Sequence, residues 1–353
     1  MAIDRPAGQC QDFKSATTKA VHGPSMLQRI PTMAERRALA GVFYLTSVLA
    51  SSFKKIDALD YSKYLDDSVN ALEQAREYES DLFLAQIVRL QHLAEETHSA
   101  ETPSAPMQIY IRAFKADLDK LKQMDQCQDQ NVYLKMQYLA SEILVWEMSL
   151  NDLLESKAKP LRTHLDNLYR CIEAIKAFID VYFSISSNYY LTMPFSAFGH
   201  FAHAFIALTR LASLEIEGWD MRAMTGTLNF ATVIEEAAIR FDGAATSSPD
   251  GLQVNNEVFS KWAARVRWMK QIYEAKFTQP DGPERVVEGH EALGSFMRSP
   301  GHYSSDGAGA TAGAQQPTPP DDVLSGDFFN YLDENFWSSF GTDAELGFPD
   351  MTV

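Results

Sequence analysis

Two histidines, His200 and His203, come closest in this sequence to a metal-binding pair. Three residues apart on a helix, they would share one face, and the imidazole ring is a common zinc ligand. Phe and Ala separate them, however, and no third ligand lies nearby in the sequence. We therefore interpret them as histidines packed in the core rather than as a metal site.

The segment Asp66-Asp67-Ser-Val-Asn70 faintly resembles the aspartate-rich magnesium motif of all-helical terpene synthases. In that motif, carboxylates four residues apart share cations with a diphosphate. Such enzymes need a second metal motif. Its best candidate start here is Asn151-Asp152. Glu155 then stands where the motif has a hydroxyl residue, and Lys159 stands where the motif has a Glu. The segment is therefore interpreted as a solvated helix face, and an all-helical small-molecule enzyme is kept as the alternative function.

The sequence offers little support for any other catalytic chemistry. The three cysteines, Cys10, Cys127 and Cys171, are too few and too scattered for a disulfide framework or a zinc knuckle. The glycines of residues 307–313 lack the Gly-Lys-Ser/Thr ending of a phosphate-binding loop, and neither a nucleophile elbow nor a dinucleotide glycine pattern occurs. The sequence therefore predicts no catalytic residue, no cofactor and no bound metal, and the protein is not expected to be an enzyme.

The elements that position these residues are predicted to be helices. Apolar residues recur in steps of four and three from Val132 to Leu153 and again from Leu161 to Tyr182. Such spacing places them on one stripe of each helix, and the break at residues 157–160, which ends in Pro160, makes the two helices antiparallel neighbours. The flanking positions lack the sustained charges of a coiled-coil dimer. We therefore predict a core αα-hairpin.

Similar patterns predict further helices on both sides of this hairpin. They begin at the capping box of Thr32 and Glu35, at Asp60 and at Ser80-Asp81, and continue over Ile109–Leu121, Phe198–Leu211, Met224–Phe241 and Val258–Phe277. No alternating strand pattern occurs. The most apolar stretch, residues 195–214, contains two histidines and an arginine, so we expect a buried helix rather than a membrane span. The predicted fold class is all-α, a multi-helix array of antiparallel helical hairpins.

Composition divides the chain into four predicted regions. Residues 1–31 form a disordered segment, 32–278 an all-helical domain, 279–320 a linker rich in Gly, Ser, Pro and Ala, and 321–353 an acidic-aromatic tail. The tail carries eight Asp and Glu residues and neither Lys nor Arg, which is half of the formal net charge of −16. As a helix, it would place large apolar residues along one face. The predicted interaction residues are Phe328, Phe329, Leu332, Phe336, Trp337 and Phe340.

An ordered set of segments carries a family resemblance. They are residues 36–53, Tyr61-Ser-Lys-Tyr-Leu65, Ser80-Asp81, residues 87–91, Gly218-Trp219-Asp220 with Arg222, and the terminal Phe336-Trp337. Together they resemble the regulatory, or middle homology, region of fungal zinc binuclear cluster (Zn2Cys6) transcription factors. The resemblance covers residues 32–277 and the tail. It implies an all-α regulatory domain of a nuclear, pathway-specific transcription regulator, for example of a secondary-metabolite gene cluster.

The chain departs from that family in its cysteines. Members usually carry six cysteines near the amino terminus that bind two zinc ions and read DNA, whereas here only Cys10 precedes residue 127. The resemblance therefore does not extend to DNA binding. We expect DNA contact only through a missing module or a partner such as a related zinc-cluster regulator. The tail is expected to contact the transcription machinery or a coactivator, and a scaffold that pairs with related regulators is a further alternative.

Overall fold

The computed structural model describes residues 31–53, 58–100, 105–124, 131–156, 159–247, 249–251 and 255–277. These ranges contain ten α-helices, a 3-10 helix at Ser187–Thr192, and no β-strand. The helices are α1 (Met33–Phe53), α2 (Lys63–Ala75), α3 (Ser80–Ser99), α4 (Met107–Met124), α5 (Val132–Ser156), α6 (Arg162–Ser184), α7 (Phe195–Ala212), α8 (Met221–Thr227), α9 (Phe230–Thr246) and α10 (Glu257–Phe277). The all-α prediction is confirmed. The predicted amino-terminal segment, linker and tail lie outside the described residues.

The predicted αα-hairpin is formed by α5 and α6, which make the most extensive helix pair in the described structure. Ile143 of α5 and Ile175 of α6 are fully buried along the seam. Leu161 precedes the second helix and is exposed, because it lies at the amino-terminal boundary of α6 rather than within it. This hairpin lies in the largest hydrophobic core, which extends through α7 to α10.

A smaller core joins the first three helices. Phe43 of α1, Leu65 and Leu72 of α2, and Val88 of α3 are fully or almost fully buried in it. The Thr32 and Glu35 capping box begins α1 as predicted, with the Thr32 backbone N–H 2.8 Å from a Glu35 carboxylate oxygen. A third cluster, formed by residues of α3, α4 and α5, connects this unit to the main core.

An aromatic cluster fills the carboxyl-terminal half of the main core. Phe201 of α7 stacks on Tyr182 of α6 with ring centroids 4.4 Å apart, and Phe241 of α9 lies edge-on to Trp262 of α10 at 5.6 Å. The apolar α7 is thus a buried helix, as predicted. In the part of the chain that the structure describes, no helix combines the length and apolarity needed to cross a membrane.

Several helix details differ from the sequence prediction. The single helix predicted over Met224–Phe241 is wrong, because α8 ends at Thr227 and the side chain of Asn229 caps α9 by accepting the Thr232 N–H at 3.1 Å. Asn is a strong N-cap residue, and it competes well against helix continuation. Likewise Ser62, rather than the predicted Asp60, caps α2.

Candidate functional site

The predicted histidine pair lies beside a buried carboxylate. Glu147 of α5 is buried, and one of its oxygens lies 2.7 Å from Nε2 of His203. The other oxygen accepts a hydrogen bond from the Arg210 guanidinium, whose second nitrogen donates to the Asn151 side chain at 2.7 Å. His203 and Arg210 both come from α7. The cluster therefore joins α5 to α7 through charges that are paired inside the protein.

Electrostatics favour the ionised form of Glu147. Burial alone would raise the pKa of this carboxyl, but the charge and hydrogen bond of His203, together with Arg210, lower the pKa to about 2. Because the anion is compensated on both oxygens, this cluster can hold two helices in register. Such an arrangement is typical of a structural ion pair in an apolar surrounding.

His200 lies one turn before His203 and is partly buried. Burial, and secondarily the neighbouring His203, lower the pKa of His200 to about 4. The ring is therefore neutral at pH 7. Within the described residues, no group of three or more His, Cys, Asp or Glu side chains is arranged to hold a metal ion. The two histidines are brought together by α7, and it is Glu147 that engages His203.

The aspartate-rich segment on α2 is held in an internal hydrogen-bond network. Asp66 accepts from the Tyr61 hydroxyl at 3.0 Å and from the Asn70 amide at 3.1 Å. Asn70 in turn accepts from Arg89 of α3 at 2.7 Å. Asp66 and Asn70, two of the side chains that would share a cation in a diphosphate-binding site, are thus engaged within the protein, and Asn70 ties α2 to α3.

A second buried ion pair joins α1 to α3. Asp81 is almost fully buried, and Nε and Nη2 of Arg37 donate to its two oxygens at 2.6 and 3.0 Å. The same guanidinium lies over the Tyr78 ring, 4.5 Å from its centroid. The hydrogen bond from Arg37 is the main cause that lowers the pKa of Asp81. Two parallel bonds of this kind fix the angle between helices better than a single contact.

Sequence reasoning did not identify Glu147, Arg210 or the pairing of Arg37 with Asp81. One signal was available, since Glu147 interrupts an apolar run between Trp146 and Met148, and a lone acid in such a run needs a cationic partner. The partners lie 56 and 63 residues further along the chain, and no local pattern identifies them. The predicted interaction residues of the tail lie outside the described residues. They are Phe328, Phe329, Leu332, Phe336, Trp337 and Phe340.

Comparison with known proteins identifies relatives that match most of this chain in sequence. A family model described as a C-terminal domain matches residues 187–307, which begin at the 3-10 helix and continue past α10. The chain is 23% identical over 321 residues to "Transcription factor opdL" of Penicillium oxalicum, covering 84% of this chain and 54% of the relative. It is 24% identical over 259 residues to "Transcription factor himD" of Aspergillus japonicus, covering 69% and 43%.

A third relative, named "Transcription factor", comes from Aspergillus terreus and is 23% identical over 270 residues, covering 68% of this chain and 45% of the relative. These matches confirm the predicted similarity to fungal transcription factors and fit the regulatory region of a zinc-cluster factor. The chain spans about half the length of the curated relatives it matches. No solved structure matches it significantly.

Proposed function

We propose that this protein is a non-enzymatic fungal transcription regulator that acts in the nucleus on a specific pathway, such as a secondary-metabolite gene cluster. The helical body serves as the regulatory domain, and residues 321–353 serve as an acidic activation segment. The observation that carries the proposal is the similarity to relatives named transcription factors over most of this chain. The hydrogen-bond network around Asp66 is consistent with it, because that network occupies Asp66 and Asn70, two of the side chains with which an enzyme of terpene-synthase type would bind a cation.

The composition of the tail supports its activation role. Acidic residues alternate with large apolar ones, and at helical spacing Phe329, Leu332 and Phe336 share one face. An amphipathic segment of this kind binds hydrophobic grooves through residues at i, i+3, i+4 and i+7, while Asp333 and Glu334 keep it soluble. The expected partner is a coactivator or a component of the transcription machinery with such a groove.

A reporter assay tests this function directly. Residues 321–353, fused to an unrelated DNA-binding domain, should drive a reporter, and Phe336→Ala with Trp337→Ala should abolish the signal by removing the apolar anchors without changing the charge. Leu346→Ala with Phe348→Ala is the matched control, because it removes the same number of large apolar side chains outside the predicted stripe. An inert fusion, or equal loss in both double variants, would contradict the activation proposal.

A further inference from the structure

Helix α1 is apolar on both of its sides. Residues 38–52 contain no charged side chain. One side packs Ala40 and Phe43 into the core shared with α2 and α3. On the opposite side Val42 and Leu45 are 51% and 60% exposed. A helix that is hydrophobic all round is normally buried all round, so this outward side is a surface that lacks a covering element among the described residues.

The outward side of α1 presents a stripe of exposed apolar residues. Ala34, Ala38, Val42 and Leu45 are exposed at spacings of four and three residues, so they form one stripe, which we call the α1 outer face. Gly41 borders it, and a Cβ added there would meet nothing within 4 Å. Small residues leave a groove between turns of a helix, and a facing helix fills such a groove with bulky side chains.

We propose that residues 325–340 of the tail pack as a helix on the α1 outer face and thereby withhold the tail from its partner. The apolar stripe of this segment runs from Phe329 through Leu332 and Phe336 to Phe340. It spans eleven residue steps, or about 16 Å, the same span as Ala34 to Leu45. Its four side chains are all large, whereas two of the four on the α1 outer face, Ala34 and Ala38, are small.

Charge and chain length both permit this contact. Because residues 38–52 carry no carboxylate, the acidic tail meets no like charge along most of this face. The chain between Phe277 at the end of α10 and Ser325 is 47 residues long. A flexible chain of that length has a typical end-to-end distance of roughly 35–40 Å, comparable to the size of the helical body. Tethering at such a distance gives the tail an effective concentration of about a millimolar.

A second copy of the chain fits this surface less well. Two copies of the α1 outer face would bring small residues against small residues, with only Val42 and Leu45 as large groups. A three-turn helix face buries far less than the roughly 800 Å² per partner of a standard protein interface. A tethered segment does not need that area, because it loses little translational freedom on docking.

Disulfide trapping in the full chain tests where the tail docks. Cys10 and Cys127 are replaced by Ser, whereas Cys171 is kept because it is buried and its burial raises the pKa of the thiol, which suppresses its reactivity. Val42→Cys is then combined with Phe336→Cys and mildly oxidised, because position 42 lies opposite position 336 or within one helical turn of it in either helix orientation. We expect an intramolecular disulfide whose yield is independent of protein concentration and about fivefold or more above that of a control pair. The control combines Phe336→Cys with Ile109→Cys, since Ile109 is 58% exposed, close to the 51% of Val42.

Equal yields for the two pairs would overturn the proposal. A disulfide between two chains through position 42, with yield rising with concentration, would also overturn it and assign the face to a second copy. The docking contact does not depend on the proposed activation function, but its regulatory consequence does. The full chain, tethered to an unrelated DNA-binding domain, should therefore drive a reporter about threefold or more strongly with Leu45→Glu and unchanged with Ile109→Glu.

The two assays separate the two proposals. If the 42–336 disulfide forms and the isolated tail activates, but Leu45→Glu leaves the reporter unchanged, regulation by docking is wrong while the activation function stands. If the disulfide forms and the isolated tail is inert, the docking contact stands and the activation function fails.

Discussion

At the scale of single residues, the most informative position is Glu147. An isolated buried carboxylate is strongly disfavoured, yet here both oxygens have cationic or imidazole partners, His203 and Arg210. Removing one charge of such a cluster leaves the others buried without compensation, and this lowers the free energy of unfolding strongly. The loss is larger than the one expected when the whole pair is replaced by well-packed apolar residues. Glu147 is therefore expected to contribute strongly to the stability of the folded protein.

We predict that Glu147→Gln lowers the free energy of unfolding at pH 7 by about 3 kcal/mol. The effect depends on pH. Because the folded pKa of about 2 lies below the ordinary value of 4.5, the contribution of Glu147 is complete above about pH 4.5 and is lost as the pH falls toward 2. Urea unfolding of both proteins across this range should show a stability difference that shrinks below pH 4.5.

The control is Glu142→Gln on the same helix. Glu142 is more exposed, and its lysine partners Lys115 and Lys122 lie 3.5 and 3.8 Å away, so we expect a change below about 1 kcal/mol. Equal losses of stability at positions 142 and 147 would show that the buried cluster contributes no more to the free energy of unfolding than a more exposed ion pair does.

At the scale of elements, the α5 and α6 hairpin carries the largest core, and its seam follows the spacing read from the sequence. Other helices show the limit of that reading. Apolar residues occur on every side of α1, yet Ala40 and Phe43 are buried whereas Val42 and Leu45 are exposed. A helix that is apolar on all sides gives no preferred face, so only packing decides its rotation.

We predict that Ile175→Ala destabilises the protein by about 3 kcal/mol, because it removes three carbon atoms from a fully buried seam position and leaves a cavity. The matched variant is Leu154→Ala on the partner helix, where the side chain is 47% exposed, and we expect about 0.5 kcal/mol. Thermal and urea unfolding measure both. A loss at position 154 as large as that at position 175 would contradict the assignment of the seam.

At the scale of the whole molecule, net charge and cysteine content are the features of this chain that bear on DNA binding. The net charge is −16, and one cysteine, Cys10, precedes residue 127. DNA binding relies on cationic contacts to phosphates, and two tetrahedral zinc sites need more thiolates than these. The relatives extend well beyond the region that matches this chain, which covers about half of their length.

We predict that the purified 353-residue chain holds well below one zinc ion and binds no DNA sequence specifically. Elemental analysis after dialysis, with a zinc-finger protein carried through the same procedure as a positive control, measures the first. Electrophoretic mobility shift in physiological salt measures the second, where only weak non-specific binding in the micromolar range or above is expected. About two zinc ions per chain, or a specific footprint at nanomolar protein, would refute the prediction.

Repetition of apolar residues at helical spacing was enough, by itself, to determine that the part of this protein described by the structure is all-α, that α5 and α6 form a hairpin, and that α7 is buried. These features are local, because each depends on residues within a few turns of one another and on a break that joins two neighbours. The similarity to fungal transcription factors was likewise recognisable from ordered segments of the chain.

Only the tertiary structure decided the rest. The pairing of Glu147 with Arg210 joins residues 63 apart, and that of Arg37 with Asp81 joins residues 44 apart. The rotation of α1, which turns Leu45 outward and Phe43 inward, likewise depends on its neighbours α2 and α3. The physical reason is the same in each case, because the energy of a buried charge or of an apolar face depends on the residues that lie opposite it. The residue pattern of one helix describes its own surface and does not identify the residues of the helix that packs against it.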